Sequence, residues 1–193
     1  MRGGEEELGK DFTQELGDLY PDAAEELDAN LPTPLVEDIS ITVFVNSNHG
    51  HDKVTRRSIS GLIAFLGRMP AFYLSKSQGA IETSTYGAEF CTMKTGVKET
   101  IAIRYMMRCL GVNVETASLL CGDNMGVIQK STINSSLLKN KHVAILYHKT
   151  REAAASGTVH PIKTDLTINY ADVLTRSQNL KTFQLITGSY FYG

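Results

Sequence analysis

The chain has 193 residues, 42% of them hydrophobic, enough to bury the core of one domain of ordinary size. It has no apolar run long enough to span a bilayer, and its N-terminus is acidic, so the sequence is expected to belong to an intracellular protein, cytoplasmic or nuclear, with neither a membrane span nor a secretory signal. The formal charge of -2 is unevenly spread: residues 1–38 carry 12 acidic side chains against Arg2 and Lys10, a net -10, which leaves a body of +8.

Residues 1–38, interrupted by Pro21, Pro32 and Pro34, read as an acidic tether with at most short helical pieces, and residues 39–193 as the compact domain. The domain opens on "ITVFVNSNHG", where Ile41, Val43 and Val45 alternate with Thr42, Phe44 and Asn46 in a strand that delivers two asparagines, Asn46 and Asn48, at its end. After a polar loop, "ISGLIAFLG" and "AFYLSKS" read as two more strands joined around Arg68, Met69 and Pro70, giving an antiparallel meander. A long amphipathic helix follows, capped at Ser84 or Thr85, with Phe90, Met93, Val97, Ile101 and Leu110 on or near its apolar stripe; Tyr105, Met106 and Met107 are placed on its packing face. "ETASLLCGDN" is a strand ending at Gly122 and Asp123, and Asn124 leads into a helix. "KNKHVAILYHKTREAAASG" is a helix stopped by Gly157, "TVHPIKT" a last strand, and "NYADVLTRSQNLKTFQLIT" a final helix. This order predicts an α/β fold, a mixed five-stranded sheet flanked by helices. Cys91, Cys109 and Cys121 lack C-x-x-C spacing and read as reduced core thiols.

Six motifs, "TRRSISG", "SKSQ", "STYGAEF", "GDNMGVI", "NKHVAILYHKTRE" and "YADVLTR", stand in the order and spacing of the ribonuclease H domain of copia-type LTR retrotransposon polyproteins, which the chain resembles from about residue 39 to 176. The acidic segment resembles the connection from reverse transcriptase to ribonuclease H in such polyproteins. The resemblance implies a ribonuclease H-like fold and hydrolysis of RNA in RNA–DNA hybrids by two Mg2+ ions held by four carboxylates. Two cations activate a water and stabilise the leaving oxygen, and hard carboxylate oxygens suit magnesium. Carried over by position, the metal-binding carboxylates are Glu89 at the start of the long helix, Asp123 after the fourth strand and Asp172 at the start of the final helix. The first catalytic aspartate is replaced by Asn46. An amide offers one neutral carbonyl and a hydrogen-bearing nitrogen where a carboxylate would bridge two ions, and its NH2 can donate to the neighbouring acids. Further departures are Gly87, Ser77 and Ala144, where the family has glutamate, a basic residue and aspartate.

Taken singly, Glu89, Asp123 and Asp172 would read as caps or surface acids, and His49, His51, His142 and His148 as loop and helix-surface residues. Arg56, Arg57, Lys76 and Lys141 are the candidate nucleic-acid contacts, and the -10 segment is expected to compete with nucleic acid for the +8 body. Two functional classes follow. One is a hybrid nuclease with weak or lost activity; the other is a non-catalytic domesticated descendant that binds nucleic acid or serves as a subunit in a protein complex.

Overall fold

The computed structural model describes residues 16–132, 144–165 and 169–191. Five strands, β1 (Ile41–Asn48), β2 (Ile59–Leu66), β3 (Met69–Ser77), β4 (Ser118–Gly122) and β5 (Val159–Lys163), form one sheet in the order β3-β2-β1-β4-β5. The meander pairs antiparallel, whereas β1, β4 and β5 run parallel. The sequence-predicted mixed sheet is therefore present. Its helices are α1 (Thr85–Cys109), α2 (Met125–Thr132), α3 (Ala144–Ala155) and α4 (Leu180–Phe191), with a 3-10 helix at Tyr170–Leu174.

Alternation along β1 assigns its two faces. Val43 and Val45 face α1, which approaches so closely at Gly96 that a Cβ there would stand 2.7 Å from Val45 and 2.8 Å from Leu120. Phe44 and Asn46 face the 3-10 helix, where the Phe44 and Tyr170 rings meet edge to face at 4.7 Å. Since β1 and β4 are parallel neighbours and β3 runs in the same direction as β1, the C-terminal ends of all three lie along one sheet edge.

Three expectations are corrected. The final helix is broken: "YADVL" makes a five-residue 3-10 helix, and the α-helix begins only at Leu180. On α1 the buried stripe runs Phe90, Met93, Val97, Thr100 and Arg104, at helical spacings of three and four. Ile101 and Leu110 are exposed, as are Tyr105 and Met106, while Met107 packs against the core. Of the cysteines only Cys121 is buried; Cys91 is half-buried and Cys109 exposed.

The acidic segment is docked from Leu16 onward. Leu16 is fully buried against Ala154 and Ala155. Glu25 receives Nε and Nη2 of Arg104 at 2.7 and 2.8 Å and Nη1 and Nη2 of Arg108 at the same distances. Leu35 N–H donates to Gly111 O at 2.7 Å, and Asp38 accepts from Glu115 N–H at 2.7 Å.

Candidate active site

Asn46 lies near the end of β1, 5% exposed. Its Nδ2 donates to Asp172 Oδ1 at 2.7 Å and to Thr175 Oγ1 at 3.0 Å. The other Asp172 oxygen accepts Arg176 Nε at 3.1 Å and Nη2 at 2.7 Å, together with the Gln178 amide. Both oxygens of this carboxylate are thus engaged by donors from this chain. Asn48, two residues on and on the same face, donates to Thr175 O at 3.2 Å and bonds to His51 at 2.9 Å.

The Asp172 turn is placed by residues that sequence reasoning did not single out. Asn169, fully buried, caps it by accepting Ala171 N–H at 3.2 Å and ties it to β1 by donating to Val45 O at 3.0 Å. Gly61, opposite Asn46 in β2, leaves room for it: a Cβ there would lie 2.6 Å from Thr175 Cγ2 and 2.8 Å from Ala171 O. Ser75 adds a bond to Leu174 O at 2.7 Å. The retrievable signal was the run Asp172, Thr175, Arg176, at the three- and four-residue spacings that bring side chains together on one helical turn.

Glu89 sits in the first turns of α1, whose N-cap is Ser84; the Ser84 side chain accepts from Gly87 N–H at 3.1 Å. Burial pushes the Glu89 carboxyl up to about 7, and the charge of Asp123 adds to this. Asp123 follows β4 directly, and the next residue, Asn124, caps α2 by accepting Gly126 N–H at 3.0 Å. The Asp123 carboxyl is raised by burial first and also by Asp172, with Arg176 opposing. The acids are therefore electrostatic neighbours in pairs, Glu89 with Asp123 and Asp123 with Asp172. Among the described residues, no three His, Cys, Asp or Glu side chains are grouped to hold one metal ion.

Of the candidate nucleic-acid contacts, Arg56 and Arg57 are exposed on the β1–β2 loop, with Arg56 at φ 58°, and Lys76 is exposed near the end of β3. All three lie along the edge that carries Asn46. Lys141 lies outside the described residues.

Solved structures that superpose on this chain include ribonucleases H. The N-terminal RNase H domain of a Mycobacterium tuberculosis protein superposes with a TM-score of 0.54 at 12% identity, over 79% of this chain and 99% of that one. RNase H1 of the archaeon Halobacterium salinarum gives 0.52 at 13% identity, over 72% and 94%. A ribonuclease H1 isolated from compost, solved in complex with an RNA/DNA hybrid, gives 0.56 at 11%, over 70% and 94%. The fold is that of ribonuclease H.

In sequence, this ribonuclease H-like chain is similar to the retrovirus-related Pol polyproteins of transposons RE1 and RE2 of Arabidopsis thaliana, 25% and 24% identical over 146 residues, 76% of the chain. A third relative, from transposon TNT 1-94 of Nicotiana tabacum, is 24% identical over 142 residues, 74% of the chain. The chain spans about a tenth of the length of these polyproteins. No family model matches it. The relatives and the fold together fit the ribonuclease H domain of a copia-type polyprotein.

Proposed function

We propose that this ribonuclease H-like domain binds RNA–DNA hybrids or related nucleic acids and cleaves them weakly or not at all. The observation that supports this most is the closure of Asp172, with one oxygen taken by Asn46 and the other by Arg176 and Gln178. Two magnesium ions would need an anionic bridge at position 46 and free oxygens on Asp172. Here a neutral amide stands at the first position, and the second residue is neutralised by a guanidinium. This donor set does not fit a pair of divalent cations.

Binding rests on other groups. Arg56, Arg57 and Lys76 are exposed cations on the sheet edge beside Asn46, and phosphate contacts of this kind set affinity without requiring catalysis. The test combines fluorescence anisotropy of a labelled hybrid in chelator with cleavage of the same hybrid in Mg2+ and in Mn2+. Salt-sensitive binding with cleavage at or near background is expected. Failure to bind at low salt would overturn the binding reading, and rapid Mg2+-dependent cleavage would overturn the account of the site.

A further inference from the structure

Beyond the sheet edge at Asn46, a second basic feature lies between the end of β3 and the outer side of α1. It is a cleft of about 340 Å3 whose lining includes Lys76 and Ser77 from β3 and Lys94, Thr95 and Lys98 from α1. Its charge is one-sided. Three ammonium groups face a single lining carboxylate, Glu99, which pairs with Lys98 at 3.9 Å. Among the described residues, Lys76 and Lys94 have no carboxylate within ion-pair distance.

The two walls are fixed to each other from beneath. Gln78, which follows β3 directly and is 4% exposed, donates through Nε2 to Ser60 Oγ at 2.9 Å, to Ala88 O at 2.9 Å and to Thr92 Oγ1 at 3.2 Å. Ser60 and Thr92 are themselves bonded at 2.7 Å. This buried network ties the strand end to the helix, so the lysine stems rise from a rigid frame rather than from two independently moving elements. Lys94 and Lys98 stand one turn apart, about 6 Å along the helix axis. They therefore present successive positive charges along a line. Ser77 adds an uncharged donor of the kind that binds phosphate oxygens, whereas the Thr95 hydroxyl donates to Cys91 O at 2.9 Å.

We infer that this cleft is a docking track for the phosphate backbone of a nucleic-acid strand, carried by Lys76, Lys94 and Lys98. The assignment rests on the nucleic-acid reading above and extends it from Lys76 at the sheet edge to Lys94 and Lys98 on α1. Lys94 is five residues and Lys98 nine residues beyond Glu89, about 7.5 and 13.5 Å further along α1. A strand held here lies alongside the acidic site rather than in it. A polymer with a phosphate on every unit suits lysines on a fixed frame better than an acidic peptide does, because a peptide's carboxylates sit on rotatable stems of irregular spacing.

Anisotropy titrations of a labelled hybrid and a labelled DNA duplex at several salt concentrations test this in chelator, using the full chain. The variants are Lys94→Gln/Lys98→Gln, Lys76→Gln, and Lys181→Gln on α4 as control, each with its thermal melt recorded. The double variant is expected to weaken binding and to lower the slope of log K against log salt by about two, at roughly one unit for each phosphate no longer neutralised. Lys76→Gln is expected to lower it by about one, and Lys181→Gln to leave it unchanged. Normal affinity and slope in folded cleft variants would overturn the track while leaving nucleic-acid binding intact. No binding by the unmodified chain would overturn both readings. Equal affinity for a poly-glutamate peptide, with the same dependence on Lys94 and Lys98, would overturn the assignment to nucleic acid.

Discussion

At position 46 one atom changes the character of the site. A carboxylate beside Asp172 would repel it, whereas the Asn46 amide donates to it at 2.7 Å and to Thr175 at 3.0 Å. Asn46→Ala is expected to lower stability by about 1–3 kcal/mol, the cost of leaving buried acceptors unpaired. Asn48→Ala, at a more exposed position whose bonds reach Thr175 O and His51, is expected to cost less. Urea denaturation of the two variants measures the difference, and equal effects would count against a special role for Asn46. Nothing in the structure explains the departure at Gly87: a Cβ there would meet the terminal oxygen of Glu82, the far end of a flexible side chain that can move aside.

At the level of elements, the 3-10 helix decides where Asp172 stands. It is held by Asn169 and admitted by Gly61. Gly61→Ala would press a methyl group onto Ala171 O, a backbone atom that cannot move without the turn. The expected cost is about 1–3 kcal/mol, read as a fall of several degrees in Tm, and an unchanged Tm would contradict the packing described. The sheet was legible in the sequence because strand alternation and turn residues agree from Ile41 to Ser77. The Asp172 turn was not, because "YADVLTR" reads as a first helical turn unless the pull of Asn169 on Val45 O is known. Along α1, Thr100 and Arg104 occupy buried stripe positions, whereas the apolar Ile101 and Leu110 next to that stripe are exposed, so hydrophobicity alone misplaces the stripe. A polar residue in a buried stripe becomes intelligible only with its partner, and for Arg104 that partner is Glu25, 79 positions earlier in the chain.

Across the whole molecule, the acidic segment is bound to the domain at the end of α1 away from the candidate site. Arg104 is 15 residues beyond Glu89, about 22 Å along the axis. The described part of the segment therefore does not occupy the sheet edge where nucleic acid is proposed to bind, and deleting residues 1–38 is expected to destabilise the domain rather than tighten binding. Arg104 is 1% exposed and Glu25 18%. Glu25→Gln leaves a buried guanidinium uncompensated and is expected to cost about 3–5 kcal/mol. Burial opposes ionisation of Glu25, but hydrogen bonds and charge from Arg108 and Arg104 outweigh it and hold the carboxyl down at about 2, against an ordinary 4.5. The sign follows from this depression: the stabilisation is complete above about pH 4.5 and is lost as pH falls through about 2. Melts of the parent chain and Glu25→Gln should therefore differ at pH 6 and converge at strongly acidic pH; a constant gap would contradict the linkage.

The identity of residue 46 is tested most directly by cleavage of a labelled RNA–DNA hybrid in Mg2+, comparing the unmodified chain, Asn46→Asp and Asn46→Asp/Asp123→Asn. The unmodified chain is expected at or near background, Asn46→Asp, which supplies the anionic bridge and releases Asp172 Oδ1, orders of magnitude above it, and the double variant back at background. Robust Mg2+-dependent cleavage by the unmodified chain, abolished by Asp123→Asn alone, would contradict the closed site.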